Sequence, residues 1–187
     1  MNVVIFGPPG AGKGTQAQYI VKKYNLFQVS TGDILRNEIK KKTEIGIEID
    51  QIISKGNFAT DYIVNKLIKN IIFDPEKKDK LIFDGYPRTL NQAKNLDLLL
   101  NKTNQKIDFI LFLKVDKNTI IQRIEKRKIL EKRSDDDLKT ILKRYDNYME
   151  TTRPVLDFYS KNPNFYEIDG SEKIDEISSK IEQIITL

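Results

Sequence analysis

Gly7-Pro8-Pro9-Gly10-Ala11-Gly12-Lys13-Gly14-Thr15 is the stretch that decides the fold. Ahead of it stands Val3-Val4-Ile5-Phe6, a short unbroken apolar run with β-branched residues, the pattern of a strand buried on both faces. Behind it, residues 15–24 place Ala17, Ile20, Val21 and Tyr24 on one helical face. A glycine-rich turn from strand into helix leaves backbone N–H groups pointing into a concavity at the positive end of the helix. That concavity suits an anion, and Lys13 adds a full charge to it. The spacing G-x-x-x-x-G-K is that of a P-loop, whose backbone cradles nucleotide phosphates. A turn rich in glycine for packing alone is the plainer alternative; the strand before it and the helix after it speak against that.

The rest of the composition narrows the chemistry. A chain of 187 residues suits one α/β domain with small insertions. It contains neither cysteine nor histidine, so disulfides, thiolate metal sites and the usual general base are excluded. Chemistry must run on carboxylates, lysine, arginine and bound Mg²⁺. The first strand starts at residue 3, leaving no room for a signal peptide, and no apolar stretch approaches membrane-spanning length. A soluble, cytoplasmic protein is the expectation. The net charge of +5 resides largely in lysine runs such as Lys40-Lys41-Lys42, interleaved elsewhere with acids. Such runs are usually solvated faces, and no aromatic residues alternate with them to stack on bases, so a nucleic-acid partner is not expected.

Working outward, residues 26–30 read as a second strand, and Ser30-Thr31-Gly32-Asp33 opens a helix with an acid in its first turn. Further helices are expected over 43–54 and, capped by Thr60, to Ile72. Three helices without an intervening strand depart from strand–helix alternation, and an inserted helical subdomain over about 31–60 accounts for them. Strands follow at 81–85, 107–115 and 165–168. Helices are expected after Thr89, from 116 to about 128, from Asp135 to about 149 with a second segment after Arg153-Pro154, and over 174–185. The whole reads as a three-layer α/β/α fold with a five-stranded parallel sheet.

Asp84 ends a buried strand, at the edge that opens onto the same crevice as the P-loop. A carboxylate there can hold Mg²⁺, directly or through water, against the phosphates; a capping or turn aspartate is the alternative. The hydroxyl residue that normally follows a P-loop lysine is replaced by Gly14, with Thr15 one place later. Arg123 and Arg127 lie four apart, on one helical face, where like charges repel unless solvated, ion-paired or bridged by an anion. Arg133 and Arg144 flank the run Asp135-Asp136-Asp137, and Arg36 and Arg88 come from other turns. Guanidinium groups bind phosphate oxygens bidentately and neutralise a migrating phosphoryl group, although single surface arginines are common.

Four motifs in order resemble the adenylate kinase family of nucleoside monophosphate kinases. They are the loop at 7–16, Ser30-Thr-Gly-Asp-Ile-Leu-Arg36, Phe83-Asp-Gly-Tyr-Pro-Arg-Thr89 with Gln92, and Arg133-Ser-Asp-Asp136 followed by Arg144. The resemblance implies the reaction Mg·ATP + AMP ⇌ 2 ADP. It implies that Gly10, Ala11, Gly12, Lys13, Gly14 and Thr15 hold the ATP phosphates, with Arg123, Arg127 and Glu172 on the ATP side. Thr31, Arg36, Asn57, Phe58, Ala59, Gly85, Arg88, Gln92, Arg133 and Arg144 would take AMP. Lys13, Arg88, Arg123, Arg133 and Arg144 would act on the migrating group, and Asp84 on Mg²⁺, through water. A missing general base fits, because a phosphate oxygen of AMP is already ionised near neutral pH. Mobile pieces are implied at 31–60 and, as a lid, at 128–134. Many bacterial members carry a longer lid, often with zinc held by cysteines. This chain resembles the short-lid forms, without zinc and often monomeric. Pyrimidine monophosphate kinases of the same build tend to carry alanine at the place of Thr31 and asparagine at that of Thr89, so AMP is favoured over UMP or CMP. A GTPase-type switch would need Asn-Lys-x-Asp, which Asn65-Lys66 and Asn101-Lys102 do not complete.

Overall fold

The computed structural model describes residues 1–53, 59–131 and 138–186. Strand β1 (Val3–Phe6) is buried along its whole length. Its side chains divide as the strand pleat requires: Val3 and Ile5 enter one apolar cluster, Val4 and Phe6 the other. The chain continues through α1 (Lys13–Tyr24), β2 (Phe27–Ser30), α2 (Thr31–Lys40), α3 (Glu44–Ile53), α4 (Asp61–Ile72) and a 3₁₀ turn (Pro75–Lys77). Then come β3 (Leu81–Asp84), α5 (Leu90–Lys102), β4 (Phe109–Lys114) and α6 (Lys117–Glu131). After these lie α7 (Leu138–Asn147), a π-helical turn (Tyr148–Thr152), α8 (Arg153–Tyr159), β5 (Phe165–Asp169) and α9 (Ile174–Ile185).

The five strands form one parallel sheet in the order β2-β3-β1-β4-β5, the expected α/β fold. One face packs Ala17 and Ile20 of α1 and Ile177 and Ile181 of α9 against Val3, Ile5, Ile82 and Leu111. On the other face, α4, α5 and α8 bring Ile68, Leu96 and Val155 onto Val4, Phe83 and Ile110. Each such aliphatic side chain contributes about 2 kcal/mol on burial, so both layers hold the sheet edge on which the P-loop sits.

Element boundaries differ from expectation in instructive places. Helix α1 begins at Lys13, because left-handed Gly12 is its N-cap and Lys13 and Gly14 already belong to its first turn. The helix expected to end near residue 128 continues to Glu131, into the segment read as a lid. The long helix expected to about 149 ends as regular α-helix at Asn147 and widens into the π turn. Pro154 accounts for the widening. It has no N–H to donate, and its ring crowds the carbonyl four residues back; the Arg153 N–H instead reaches the carbonyl of Tyr148. Asp135, the expected start of that helix, lies outside the described residues.

Candidate active site

The carboxyl ends of β1 and β3 lie side by side, with Ile5 opposite Asp84. Strands added before β4 lie on one side of β1, and β4 and β5 on the other. The carboxyl edge at such a reversal is where open α/β sheets bind ligands. The P-loop leaves β1 at this point. Gly10 and Gly12 have φ of 80° and 91°, backbone that a side chain would strain. A Cβ on Gly10 would also press against Ile124 at 2.8 Å, whereas one on Gly12 would meet nothing within 4 Å. The loop is therefore packed from below and open above. Unlike α2 and α5, capped by the side chains of Ser30 and Thr89, α1 starts at a glycine with none to offer. An incoming phosphate oxygen can take the part of that cap. The Lys13 ammonium donates to the carbonyls of Gly7 and Pro8 at 2.7 and 3.0 Å, curled over the loop that it would share with phosphates.

A cleft of about 550 Å³ opens over the loop. It brings together Gly10, Ala11, Gly12, Lys13, Gly14, Thr15, Arg36, Asp84, Gly85, Arg88, Arg123, Arg144 and Glu172, all residues expected at the site. Arg88 is strongly perturbed. Burial, aided by the neighbouring Arg144 and Arg36 cations and opposed by Asp84, pushes its guanidinium down to about 10. Three arginines thus lie near one another at one cleft, an arrangement suited to a phosphate. The Gly85 carbonyl organises this side, accepting from Arg88 Nε at 2.8 Å and from Thr31 Oγ1 at 2.8 Å. Arg36 is paired with Asp33 at 2.6 Å. On the other side Arg123 donates to the carbonyls of Gly170 and Ser171 at 2.7 and 3.2 Å, fixing the turn that carries Glu172. Glu172 pairs with Lys180 through Oε1, while Oε2 is buried without a partner among the described residues.

Three expected residues stand back from the cleft wall. Thr31 is 6% exposed and acts on it through Gly85, and Ala59 is packed in the core. Gln92, expected to meet AMP, is 2% exposed. Its amide is engaged on both sides, accepting from the Arg88 N–H at 2.7 Å and donating to Asp61 at 2.6 Å. Asn57, Phe58, Arg133 and the side chain of Arg127 lie outside the described residues. Sequence reading missed Asp61, which also accepts from Thr89 Oγ1 at 3.0 Å and so ties α4 to the Arg88 turn. It also missed Gln28, whose Nε2 donates to Asp84 at 3.1 Å. Strand alternation carried a signal for Gln28, which lies two residues before the cleft residue Ser30; nothing local marks Asp61.

Asp84 lines the cleft near the loop, its Oδ2 3.7 Å from where a Cβ on Gly14 would lie. Among the described residues no three acidic side chains gather into a metal cage. A single carboxylate beside a phosphate cradle suits Mg²⁺, which keeps most of its waters and is held chiefly by the phosphates.

A P-loop at the switch point of a parallel sheet, facing converging arginines, defines a nucleotide-binding phosphotransferase of the P-loop class. The adenylate kinase family model matches residues 5–164. The chain is 47% identical to an adenylate kinase of Pelagibacter ubique, with 99% of each chain covered. It is 41% identical to one of Azobacteroides pseudotrichonymphae (97% of this chain, 95% of the relative) and 36% identical to one of Nocardioides (99% and 97%). The chain belongs to the adenylate kinase family.

Proposed function

We infer that the chain transfers a phosphoryl group reversibly from Mg·ATP to AMP, giving two ADP. The observation that carries this reading is one cleft lined both by the P-loop with Lys13 and by Arg36, Arg88 and Arg144. Two phosphate groups can meet there, and the arginine side is built for a dianion. Lys13 would leave its loop carbonyls to follow the moving phosphoryl group, while the α1 amides hold the donor phosphates. Arg88 and Arg36 would bind the AMP phosphate, and Arg123, Arg133 and Arg144 would spread the charge of the transition state. Glu172 and Arg127 belong to the ATP side, and Asn57, Phe58 and Ala59 to that of AMP. No side chain need remove a proton, since the attacking oxygen is already ionised. Bound Mg²⁺ would neutralise the β and γ phosphates, with Asp84 anchoring its water shell. Gln92 reaches the AMP base in this reading only by exchanging its hold on Asp61.

Residues 31–60 form the AMP-side arm and 128–134 the lid in the same proposal. The Pelagibacter relative aligns over 211 positions, more than the 187 residues here, so it carries residues without counterpart in this chain. That supports a short form. Among the described residues no helix is long and apolar enough to cross a membrane. Both nucleotide sides draw on one chain, which supports action as a monomer, and a cytoplasmic location belongs to the same proposal. The test is ADP formation by the purified protein with Mg·ATP and AMP, UMP or CMP in turn. AMP is expected to be the preferred acceptor; faster turnover with UMP or CMP overturns the base assignment, and none with any acceptor overturns the kinase reading.

A further inference from the structure

Behind the cleft lies a second, smaller chamber of about 50 Å³. Its polar lining comes from two sources. Lys13, Arg88 and Arg144 border it on the cleft side, and Tyr148 and Thr152 on the π turn, with Phe6 as apolar wall. Tyr148 and Thr152 are 7% and 5% exposed. Their hydroxyls meet no hydrogen-bond partner among the described residues. An unpaired buried hydroxyl is costly, and both residues that carry one line the same chamber, so a small side-chain rotation that opens each oxygen to the chamber would let water complete the bonding.

The chamber's size and chemistry choose water. A water molecule needs roughly 10–15 Å³ of such space and two to four polar partners, so a small number fit. Lysine and arginine offer donors and no acceptor, whereas a hydroxyl offers both. A water can accept from a cation and donate onward to Tyr148 or Thr152, linking groups that cannot bond to it in the same sense. The π turn supplies the geometry. Eight residues of regular helix, at about 100° each, would swing residue 152 about 80° away from the azimuth of residue 144. The wider turn lessens that drift and keeps Arg144, Tyr148 and Thr152 along one stripe.

We propose that Tyr148 and Thr152 are positioning residues for phosphoryl transfer, holding ordered water in this chamber behind Lys13, Arg88 and Arg144. The proposal rests on the kinase reading of the cleft. The hydroxyls do not touch substrate; through water they fix the angle at which the cations meet the migrating group, where small misplacements are costly.

Thr152→Val removes the hydroxyl at nearly constant volume, and Tyr148→Phe is the second, independent variant. Each is expected to lower kcat about tenfold with KM for ATP and AMP within about twofold. The melting temperature should be unchanged or higher, because a buried polar group is lost. Thr152→Ser should restore kcat, and crystals of the unaltered protein should show water in the chamber that Thr152→Val lacks. Wild-type kcat in both variants overturns the proposal, as does a kcat loss that Thr152→Ser shares or that tracks a fall in melting temperature. Absence of ADP formation by the unaltered protein would instead overturn the kinase reading itself.

Discussion

Arg88 shows how a single residue can be placed for binding at the expense of the empty fold. Burial and two neighbouring arginines hold its guanidinium down to about 10, below its ordinary value of 12.5. The unfolded chain therefore binds this proton more tightly, and the group's contribution to stability improves only as pH rises between those values. At neutral pH the full cost of the buried charge is present, and an anion removes it. Arg88→Met should accordingly leave the ligand-free melting temperature unchanged or raised while kcat/KM for AMP falls at least about a hundredfold. Lys13→Ala should lower kcat by at least about a hundredfold with circular dichroism unchanged. Equal losses of activity and secondary structure would assign these residues to folding. The same reasoning sets the pH profile. Arg88 stays charged below pH 9, and the chain has no histidine. The titrating group is then the AMP phosphate, whose second ionisation is near about 6. We expect kcat/KM for AMP to climb from pH 5 to 7 and stay level to pH 9; a bell-shaped profile would reveal a protein group titrating near neutrality.

At the scale of elements, the helices that carry the arginines depend on contacts distant from the chemistry. Helix α2 bears Arg36, and α3 packs against it so closely at Gly46 that a Cβ there would collide with the backbone of Glu38. Gly46→Ala should cost about 1–3 kcal/mol and lower the melting temperature. Because the shift is transmitted to Arg36, KM for AMP should rise more than KM for ATP, as steady-state kinetics with each substrate varied would show. Many elements were legible from local pattern. The β-branched run of β1, the caps Ser30 and Thr89 and the apolar periodicity of α9 each carry their own signal. The π turn was not, because the sequence shows only Pro154 inside an amphipathic pattern, and whether a helix breaks, kinks or widens there depends on what its faces must bury.

For the whole molecule, ligands should act as stabilisers because the cleft concentrates positive charge. At a hundred times its dissociation constant, AMP should add about 2.7 kcal/mol, or about 5–10 °C for a domain of this size. Adenosine, without the phosphate, should give little of that shift in a thermal melt. Chelating Mg²⁺ should abolish ADP formation while the AMP-dependent shift persists. A shift by adenosine equal to that by AMP would place the binding energy in the base and contradict the arginine site.

The sequence by itself determined the strand–loop–helix at 3–24, the P-loop within it, the parallel α/β class and the residue types that the chemistry uses. These follow from short-range rules: glycine spacing, β-branched runs and periodicity. Only the tertiary structure decided that Arg36, Arg88 and Arg144, far apart in the chain, share one cleft with Lys13. It also decided that Gln92 is held by Asp61, and that the buried hydroxyls of Tyr148 and Thr152 meet no partner among the described residues. Burial, convergence of charge and hydrogen-bond satisfaction are properties of neighbours in space, and they appear only once the sheet order has brought separate turns to one edge.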